Sequence, residues 1–508
     1  MQSTVWSGAI VGVDAIPVAV EVDMANGSPY FVTVGLPEGA VKESKVRVES
    51  ALKASGAQFP LKRITVNLAP ADIRKDGSAF DLPLALGLMA AQGAVSEGAM
   101  DKMMAAGELS LTGELRPIKG ALPLAVLARD RGIRDLLLPP QSCAEAAVVQ
   151  GVRVRPVATL REAIEHLAGM RELPVVPHNI PDARHHDLGV DLADVHGQHH
   201  AKRSLEVAAA GGHNLLMVGP PGSGKTMLAQ RLATLLPSMS FDEALAATKV
   251  YSVMGLVPPG DGLLRQRPFR APHSTASDVA LCGGGSPPRP GEVSLAHHGV
   301  LFLDEVPQFR RSALEALRQP LEEGRVTVSR AVMSITYPAR CVLVAAMNPC
   351  PCGHLTDPRR RCTCRPPDVT NYRARLSGPL MDRIDLHVEV PPVRSTDLEG
   401  QRGESSATVR ARVEKCRRIQ RERFKDAPHV HCNAQMAAAM VRRVCQPDED
   451  GRRMLRMVVD KLGMSARTHD RILKVARTIA DLDGSEHVRG SHVAEAVQYR
   501  ALDRKAEA

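Results

Sequence analysis

Aromatic side chains and long apolar runs are both scarce in this sequence. Aromatic residues make up 3% of the 508 residues, and Trp6 is the single tryptophan. No apolar run is long enough for a membrane-spanning helix, and the N-terminus lacks the basic segment of a secretory signal, with Asp14 interrupting its first apolar stretch. Low-complexity tracts and internal repeats are also lacking. We therefore expect a cytoplasmic protein with no membrane association.

The length of the chain indicates how many domains it forms, and its net charge indicates which partners it can attract. A chain of 508 residues exceeds what one hydrophobic core usually supports, so we expect two to four domains. The 65 basic and 56 acidic residues leave a net charge of +9. This modest surplus indicates either a slightly basic solvated surface or attraction to a polyanion such as nucleic acid.

Sequence periodicity predicts an α/β protein with several segments. Val18, Val20 and Val22 share one face of a predicted strand, whereas Val409, Val413 and Cys416 fall at helical spacing within a basic stretch. For that stretch we favour the basic solvent face of a packed helix over a DNA-binding role. The predicted segments are an α/β domain at 1–168, a proline-rich linker at 169–190, a second α/β domain at 191–403 and a helical domain at 404–508.

A glycine-rich motif lies in the middle third of the chain. It follows a predicted strand at 215–218, precedes a predicted helix at 227–236 and fits the pattern G-x-x-x-x-G-K-[ST]. Such a loop curls its backbone N–H groups around phosphates, and its lysine neutralises β- and γ-phosphate charge while its hydroxyl binds Mg²⁺. The alternative is a simple glycine-rich turn. The predicted ATP-binding residues are Gly219, Pro220, Pro221, Gly222, Ser223, Gly224, Lys225 and Thr226.

Polar residues follow two further predicted strands. Asp304 and Glu305 end an apolar run at 300–303, and Asn348 follows another at 342–347. After a P-loop, an aspartate in this place can hold Mg²⁺ and the adjacent glutamate can activate the attacking water. Asn348 can position that water near the γ-phosphate. The alternatives are solvated carboxylates and an ordinary turn asparagine.

Four of the ten cysteines cluster at Cys350, Cys352, Cys362 and Cys364. Four thiolates on one loop suit tetrahedral Zn²⁺, although each pair has a single intervening residue instead of the commoner two to four. Free thiols and disulfides remain as alternatives, the disulfides being unusual for a cytosolic chain. Three arginines within the loop, together with Arg365, are candidates for contacts with DNA phosphates.

Five longer stretches resemble the ComM/YifB proteins, which are magnesium-chelatase-like AAA+ ATPases. The resemblance covers essentially the whole chain and implies an AAA+ core with a helical lid, assembled as a hexameric ring with ATP at the subunit interfaces. The stretches are RPFRAPH at 267–273, GGGSPPRPGE at 283–292, SLAHHGVLFLDE at 294–305, AMNPCPCG at 346–353 and LSGPLMDRID at 376–385.

The resemblance also implies roles for several cations. Arg383 matches the arginine finger that a neighbouring subunit supplies, with a surface salt bridge as the alternative and Arg375 in reserve. Arg467 matches the lid arginine called sensor 2. The stretch 325–338 resembles the hairpin of replicative MCM helicases, with Arg330 where those proteins carry a pore-facing lysine. Arg330 is therefore a candidate for gripping DNA phosphates, unless the hairpin is merely exposed.

The N-terminal segment resembles the Lon protease domain, which shares its fold with a ribosomal protein domain. The matching stretches are RKDGSAFDL at 74–82 and GELSLTGELRPIKG at 107–120. Aligned without gaps, the catalytic serine position holds Ala79 and the catalytic lysine position holds Leu122, while Ser78 and Lys119 are out of register. The resemblance thus implies a degenerate domain without peptidase activity.

Together these features predict an ATP-driven motor that acts on branched or duplex DNA. The family resemblance implies branch migration during the integration of transforming DNA. A magnesium-chelatase-type ATPase subunit or another protein-remodelling motor is the second interpretation. A Lon-like peptidase is the third, and Ala79 and Leu122 argue against it.

Overall fold

The computed structural model divides the chain into two compact units. The first unit comprises residues 1–183 together with 241–265, and the second comprises 184–240 and 266–508. Within the described part of the chain, no helix is both long and apolar enough to cross a membrane. The structure describes residues 1–178, 189–329, 334–393, 397, 402–427, 429–462 and 465–500.

A mixed β-sheet organises the first unit. Among the residues that the structure describes, seven strands form it in the order β3-β4-β2-β1-β5-β8-β9. The pairs β1/β2 and β2/β4 are antiparallel, and the other neighbours are parallel. The strands of this unit are β1 (Gln2–Val11), β2 (Asp14–Ala25), β3 (Tyr30–Val34), β4 (Arg63–Ala69), β5 (Met103–Ala105), β6 (Glu108–Leu109), β7 (Leu115–Arg116), β8 (Asp135–Leu138) and β9 (Arg153–Pro156).

One helix forms the centre of the first core. Every residue of Asp81–Ala91 is buried, as expected for a helix that is apolar on all sides. It packs against β1 and β2, where Val18, Val20 and Val22 are buried as predicted. The Lon-like assignment of this unit stays a prediction. The helices of the unit are Ala40–Ala54, Asp81–Ala91, Ala121–Asp130, Cys143–Ala146, Leu160–Leu167 and Phe241–Met254.

Residues 241–265 complete the first unit from a distant part of the chain. The helix Phe241–Met254 packs against the helix Ala121–Asp130. The backbone N–H of Gly120 donates to the carbonyl of Ser252 at 3.0 Å, and Lys249 pairs with Asp14 at 2.7 Å. This segment falls within the range 191–403 predicted for the second α/β domain, and its packing here was not anticipated from the sequence.

A parallel sheet organises the second unit. In the ranges described, its five strands follow the order β11-β14-β17-β10-β18, and every neighbouring pair is parallel. β10, β14 and β17 are buried throughout, which explains their uninterrupted apolar runs. The strands of this unit are β10 (Leu215–Val218), β11 (Phe269–Arg270), β12 (Gly283–Gly284), β13 (Arg289–Pro290), β14 (Val300–Leu303), β15 (Arg325–Ser329), β16 (Ser334–Pro338), β17 (Val342–Met347) and β18 (Leu386–Glu389).

Helices surround this sheet and form the C-terminal part of the unit. They are His199–Gly211, Lys225–Leu235, Asp278–Cys282, Glu292–Leu295, Arg311–Ala316, Arg318–Glu323, Pro366–Arg373, Gly378–Met381, Ser406–Arg423, Ala438–Val444, Glu449–Leu462, Ala466–Leu482 and Gly490–Gln498. With the seven-stranded and five-stranded sheets and these helices, the α/β class predicted from the sequence is confirmed. That the C-terminal helices act as a lid stays a prediction.

The basic helix Ser406–Arg423 packs on the core as we favoured. Its apolar residues Val409, Val413 and Cys416 are buried. Nε of Arg412 donates to Oε1 of Glu206 at 2.6 Å, and Arg417 donates to the carbonyl of Ala209 at 2.9 Å. These arginines therefore fasten the helix to the core.

Candidate functional site

The topology of the parallel sheet brings the predicted motifs to one edge. β17 lies between β14 and β10, with Val218 opposite Met347 and Leu303 opposite Ala345. All three strands run in the same direction, so the segments that follow them meet at the carboxyl edge, where α/β sheets usually bind ligands. The glycine-rich loop, Asp304 with Glu305, and Asn348 are therefore neighbours, although Gly219 and Asn348 are 129 positions apart in the sequence.

The glycine-rich loop has the backbone that its sequence requires. Gly222 and Gly224 have φ angles of 75° and 86°, a region that glycine adopts without steric cost. A Cβ on Gly219 would lie 2.2 Å from the carbonyl oxygen of Val390, so this position also needs glycine. The loop leads directly into the helix Lys225–Leu235, whose N-terminal N–H groups suit a phosphate.

Lys225 lies between the glycine-rich loop and Asn348. Its ammonium donates to the carbonyls of Gly219 at 2.8 Å and Pro220 at 2.9 Å, and to Oδ1 of Asn348 at 3.3 Å. Burial lowers the pKa of Lys225, and the charges of the acidic pair at 304–305 oppose that shift. The cation thus contacts the loop and Asn348 and interacts electrostatically with the acidic pair.

Thr226 and Asp304 form a pair of hard oxygen donors. The Thr226 hydroxyl donates to Oδ2 of Asp304 at 2.8 Å, and Oδ1 of Asp304 accepts the backbone N–H of Glu305 at 2.9 Å. A hydroxyl and a carboxylate beside a phosphate-binding loop are the ligands that Mg²⁺ usually takes in such sites. The residues present therefore fit a Mg²⁺–nucleotide complex.

Glu305 is exposed and adopts an uncommon backbone conformation. Its φ of 50° and ψ of 45° lie in the left-handed region, which costs a non-glycine residue on the order of 1–3 kcal/mol. Strained residues of this kind concentrate at functional sites. Its conformation and its neighbour Asp304 are consistent with the predicted catalytic role.

Two residues of the site were not found from the sequence. Gln198 donates from Nε2 to the carbonyl of Ser223 at 2.7 Å and so supports the glycine-rich loop. Tyr372 is hydrogen bonded with the backbone of Asn348 and lies near Glu305; burial raises its pKa. Neither belongs to a recognisable local motif, so only the folded structure identifies them.

Arg383 lies at the opposite edge of the sheet. Its backbone carbonyl accepts the Asn214 side-chain amide at 2.9 Å, and Asn214 immediately precedes β10. The four residues of β10 span about 13 Å at about 3.3 Å each, which separates this position from the glycine-rich loop. The guanidinium pairs with Glu322 and donates to the carbonyl of Pro379 at 2.7 Å, while its Nε has no hydrogen-bond partner among the described residues.

Arg467 lies near the same carboxylate. The pKa of Glu322 is lowered by its hydrogen bond with Arg383, and the charges of Arg467 and Arg471 lower it further. Arg471 also pairs with Asp385 at 2.5 Å. Arg375, the reserve candidate, donates instead to the carbonyl of Pro307, just beyond Glu305. Arg383 and Arg467 are therefore grouped together, away from the glycine-rich loop of their own chain.

The four clustered cysteines form one compact group. Their sulfur atoms all lie within 4.8 Å of one another. Sγ of Cys350 is 3.4 Å from that of Cys352 and 3.7 Å from that of Cys362, close to the spacing of about 3.8 Å set by a tetrahedral ion about 2.3 Å from each sulfur. All ten cysteines lie in described parts of the chain and none forms a disulfide there, which argues against the disulfide alternative.

The local hydrogen bonds of this group favour thiolates. The backbone N–H of Cys352 donates to Sγ of Cys364 at 3.3 Å. Hydrogen bonds from the backbone of His354 and Thr363 lower the pKa of the Cys352 thiol to about 5. Backbone hydrogen bonds also act to lower the pKa of Cys362 and Cys364, but burial and the neighbouring thiols outweigh them, so these two pKa values are raised in the absence of a cation. A thiolate is the form that binds Zn²⁺, so the donor set fits this ion.

The predicted DNA-contacting hairpin is present in part. β15 and β16 pair antiparallel, from Arg325 opposite Pro338 to Ser329 opposite Ser334. The hairpin predicted from the alternation is thus confirmed, whereas Arg330 lies outside the described residues.

Comparisons with known proteins agree with this arrangement. Models of the magnesium chelatase subunit ChlI match residues 191–398 and 20–142, and a model of its C-terminal part matches 403–500. Competence protein ComM of Haemophilus influenzae is 46% identical over 505 residues, which cover 98% of this chain and 97% of that protein. The chain belongs to the ComM/YifB family.

Other relatives support the assignment. YifB of Escherichia coli is 44% identical over 504 residues, covering 99% of this chain and 97% of that protein. The chloroplastic magnesium-chelatase subunit ChlI of Nicotiana tabacum is 26% identical over 221 residues, covering 43% of this chain and 46% of that protein. ComM and YifB are thus similar along nearly the whole chain, and the alignment with the tobacco subunit covers less than half of it. Family and site geometry together support an AAA+-type ATPase.

Proposed function

We propose that this protein is an ATP-hydrolysing motor that works as a hexameric ring and drives branch migration of DNA during recombination. One observation carries the ATPase part of the proposal. The glycine-rich loop, the acidic pair at 304–305 and Asn348 meet at the carboxyl edge of a parallel sheet, with Lys225 in contact with both the loop and the asparagine.

Each residue of this edge has a role in the proposed hydrolysis. Lys225 and the loop N–H groups hold the β- and γ-phosphates, and Thr226 with Asp304 holds Mg²⁺. When held there, Mg²⁺ would supply positive charge against the charge that develops on the phosphate oxygens. Glu305 accepts a proton from the attacking water, and Asn348 orients that water toward the γ-phosphate.

The position of Arg383 is the reason for proposing a ring. Phosphoryl transfer of this kind needs a further cation on the γ-phosphate. Arg383 lies beyond the amino end of β10, about 13 Å along the strand from the glycine-rich loop. In a ring, the same residue of one subunit can face the nucleotide of the next, and Arg467 accompanies it.

The proposal of DNA as the partner has separate support. The chain carries a net charge of +9, and the hairpin β15–β16 is inserted directly before β17, the strand that Asn348 directly follows. A relative that is similar along the whole chain carries the name competence protein. Because β17 connects the hairpin to Asn348, DNA bound at the hairpin would act on ATP turnover through this strand.

We expect duplex or forked DNA to raise the ATPase rate. Binding to DNA should weaken about 10-fold or more as salt rises from about 50 to 200 mM, because neutralised phosphates release counterions. Arg330→Ala should reduce this stimulation, whereas Arg325→Ala, at the base of the hairpin and paired with Glu323, is the matched control. Synthetic three- and four-way junctions provide the direct assay of branch migration.

The alternatives predict other outcomes. A chelatase-type subunit or a protein-remodelling motor would hydrolyse ATP with no response to any form of DNA. A Lon-like peptidase would need a serine and a lysine where this chain has Ala79 and a fully buried Leu122. Ser78 is itself occupied by a hydrogen bond to Glu108. The peptidase is therefore the weakest of the three.

We also propose a structural zinc ion bound by the four clustered cysteines. The compact sulfur geometry and the backbone donors to sulfur support it. Purified protein should contain about one zinc per chain by elemental mass spectrometry. Zinc should be retained in Cys341→Ser, whose thiol lies outside the group, and protein prepared in zinc-containing medium that holds no metal would contradict the proposal.

A further inference from the structure

The cysteine group and the nucleotide site share one short turn. β17 ends at Met347, and Asn348 follows it directly. Cys350 comes two residues later and is fully buried, and Cys352 follows after one more residue. Two of the four sulfur ligands therefore belong to the same turn as the asparagine that is proposed to orient the attacking water.

This turn also packs against the glycine-rich loop. A Cβ placed on Gly353 would lie 2.6 Å from Cδ of Pro221, so the Gly353 backbone is in close contact with the Pro221 ring. On the other side, Oδ1 of Asn348 accepts a hydrogen bond from Lys225 at 3.3 Å. A shift of the 348–353 turn would consequently displace both the asparagine and the phosphate-binding loop.

Outside the sulfur group, the described residues hold this turn by a small set of hydrogen bonds and by the contact with Pro221. No helix or strand is found between Met347 and Pro366 in this described stretch. The residues from 355 to 361 are mostly exposed. These hydrogen bonds include those of Asn348 with Lys225 and Tyr372, and the one from Nε of Arg373 to the carbonyl of Pro349 at 3.2 Å. Four metal–sulfur bonds would be the strongest restraint on the position of Asn348.

We propose that Cys350, Cys352, Cys362 and Cys364, with their metal, are positioning residues for ATP hydrolysis. They hold Asn348 and Pro221 in the geometry that turnover requires. This inference rests on the proposed ATPase function and assigns the metal a role at the reaction centre, beyond the stability of its own loop. The expected signature is a loss of kcat with nucleotide affinity largely kept, because Lys225 and Thr226 remain.

The test compares Cys352→Ser and Cys364→Ser with Cys341→Ser in the full-length chain. We expect both variants of the group to lose zinc and to lower kcat about 10-fold or more, the usual effect of disturbing a metal shell, while the Kd of a fluorescent ATP analogue changes less than about 3-fold. Cys341→Ser should match the wild type in zinc content, kcat and Kd. Zinc-free variants with a wild-type kcat would overturn the inference.

A second variant covers the case in which loss of the metal unfolds the chain. Gly353→Ala keeps all four cysteines but forces a Cβ toward Pro221 at a φ of 84°. It should retain zinc and still lose kcat, and retention of zinc with wild-type kcat would contradict the coupling. If the wild type turns over no more ATP than Lys225→Ala, the proposed ATPase function fails instead, so the two failures are distinguishable.

Discussion

Replacing Lys225 by alanine is expected to abolish ATP binding. The ammonium is buried against the carbonyls of Gly219 and Pro220, where it can meet β- and γ-phosphate oxygens. Losing a charge-assisted contact of this kind costs roughly 3 kcal/mol, which corresponds to at least about 100-fold weaker binding. Titration with a fluorescent ATP analogue measures this effect directly.

The matched control is Lys415→Ala, a lysine exposed on the helix Ser406–Arg423. It removes the same charge from the chain without touching the site, and its nucleotide affinity should equal that of the wild type. If Lys225→Ala bound and hydrolysed ATP at nearly the wild-type rate, the assignment of the nucleotide site would be wrong.

Replacing Arg383 by alanine should abolish hydrolysis but leave ATP bound. An arginine finger typically contributes 10³- to 10⁵-fold to the rate, so we expect kcat to fall by about 10³ with little change in Kd. Mixing provides the sharper measurement. Arg383→Ala alone should be inactive, and Glu305→Gln alone should bind ATP without hydrolysing it. When the two variants are mixed, activity should return at interfaces where an Arg383→Ala subunit supplies the intact nucleotide site and a Glu305→Gln subunit supplies the intact arginine.

In a random mixture roughly a quarter of the interfaces would be fully intact, so recovery should be partial. No recovery at any ratio would contradict action between subunits. Glu322→Gln breaks the ion pair with Arg383 but keeps the arginine. If Arg383 acts on the nucleotide of the next subunit, this variant should keep its kcat; if the ion pair only stabilises the fold, it should lose kcat as Arg383→Ala does. If Arg375→Ala reproduces the pattern and Arg383→Ala does not, the reserve candidate is the finger.

The elements of the nucleotide site were predictable because their signals are local. The glycine-rich loop follows the buried strand β10 and starts a helix, as its sequence implies. Asp304 and Asn348 each directly follow an apolar run, and parallel strands necessarily place the segments that follow them at one edge. Spacing within the chain was therefore sufficient to predict that these motifs meet.

Other features depend on contacts between distant residues and leave no local signal. Gln198 precedes the helix His199–Gly211 and contacts the loop because the fold places the start of this helix beside the loop. Tyr372 lies near Glu305 because of tertiary packing. The partner of Arg383, Glu322, is 61 positions away. Such pairs follow from tertiary packing, which residue patterns in one sequence do not specify.

The composition of the first unit from residues 1–183 and 241–265 has a consequence for biosynthesis. The ribosome synthesises β10 and the glycine-rich loop of the second unit before it synthesises the helix Phe241–Met254. Only then can this helix pack against the helix Ala121–Asp130. At about 5–20 residues per second, the early segment waits roughly 4–16 s for its missing piece. During this interval the first unit of the nascent chain is incomplete. The nucleotide-binding segment has already been synthesised when the first unit can complete its fold.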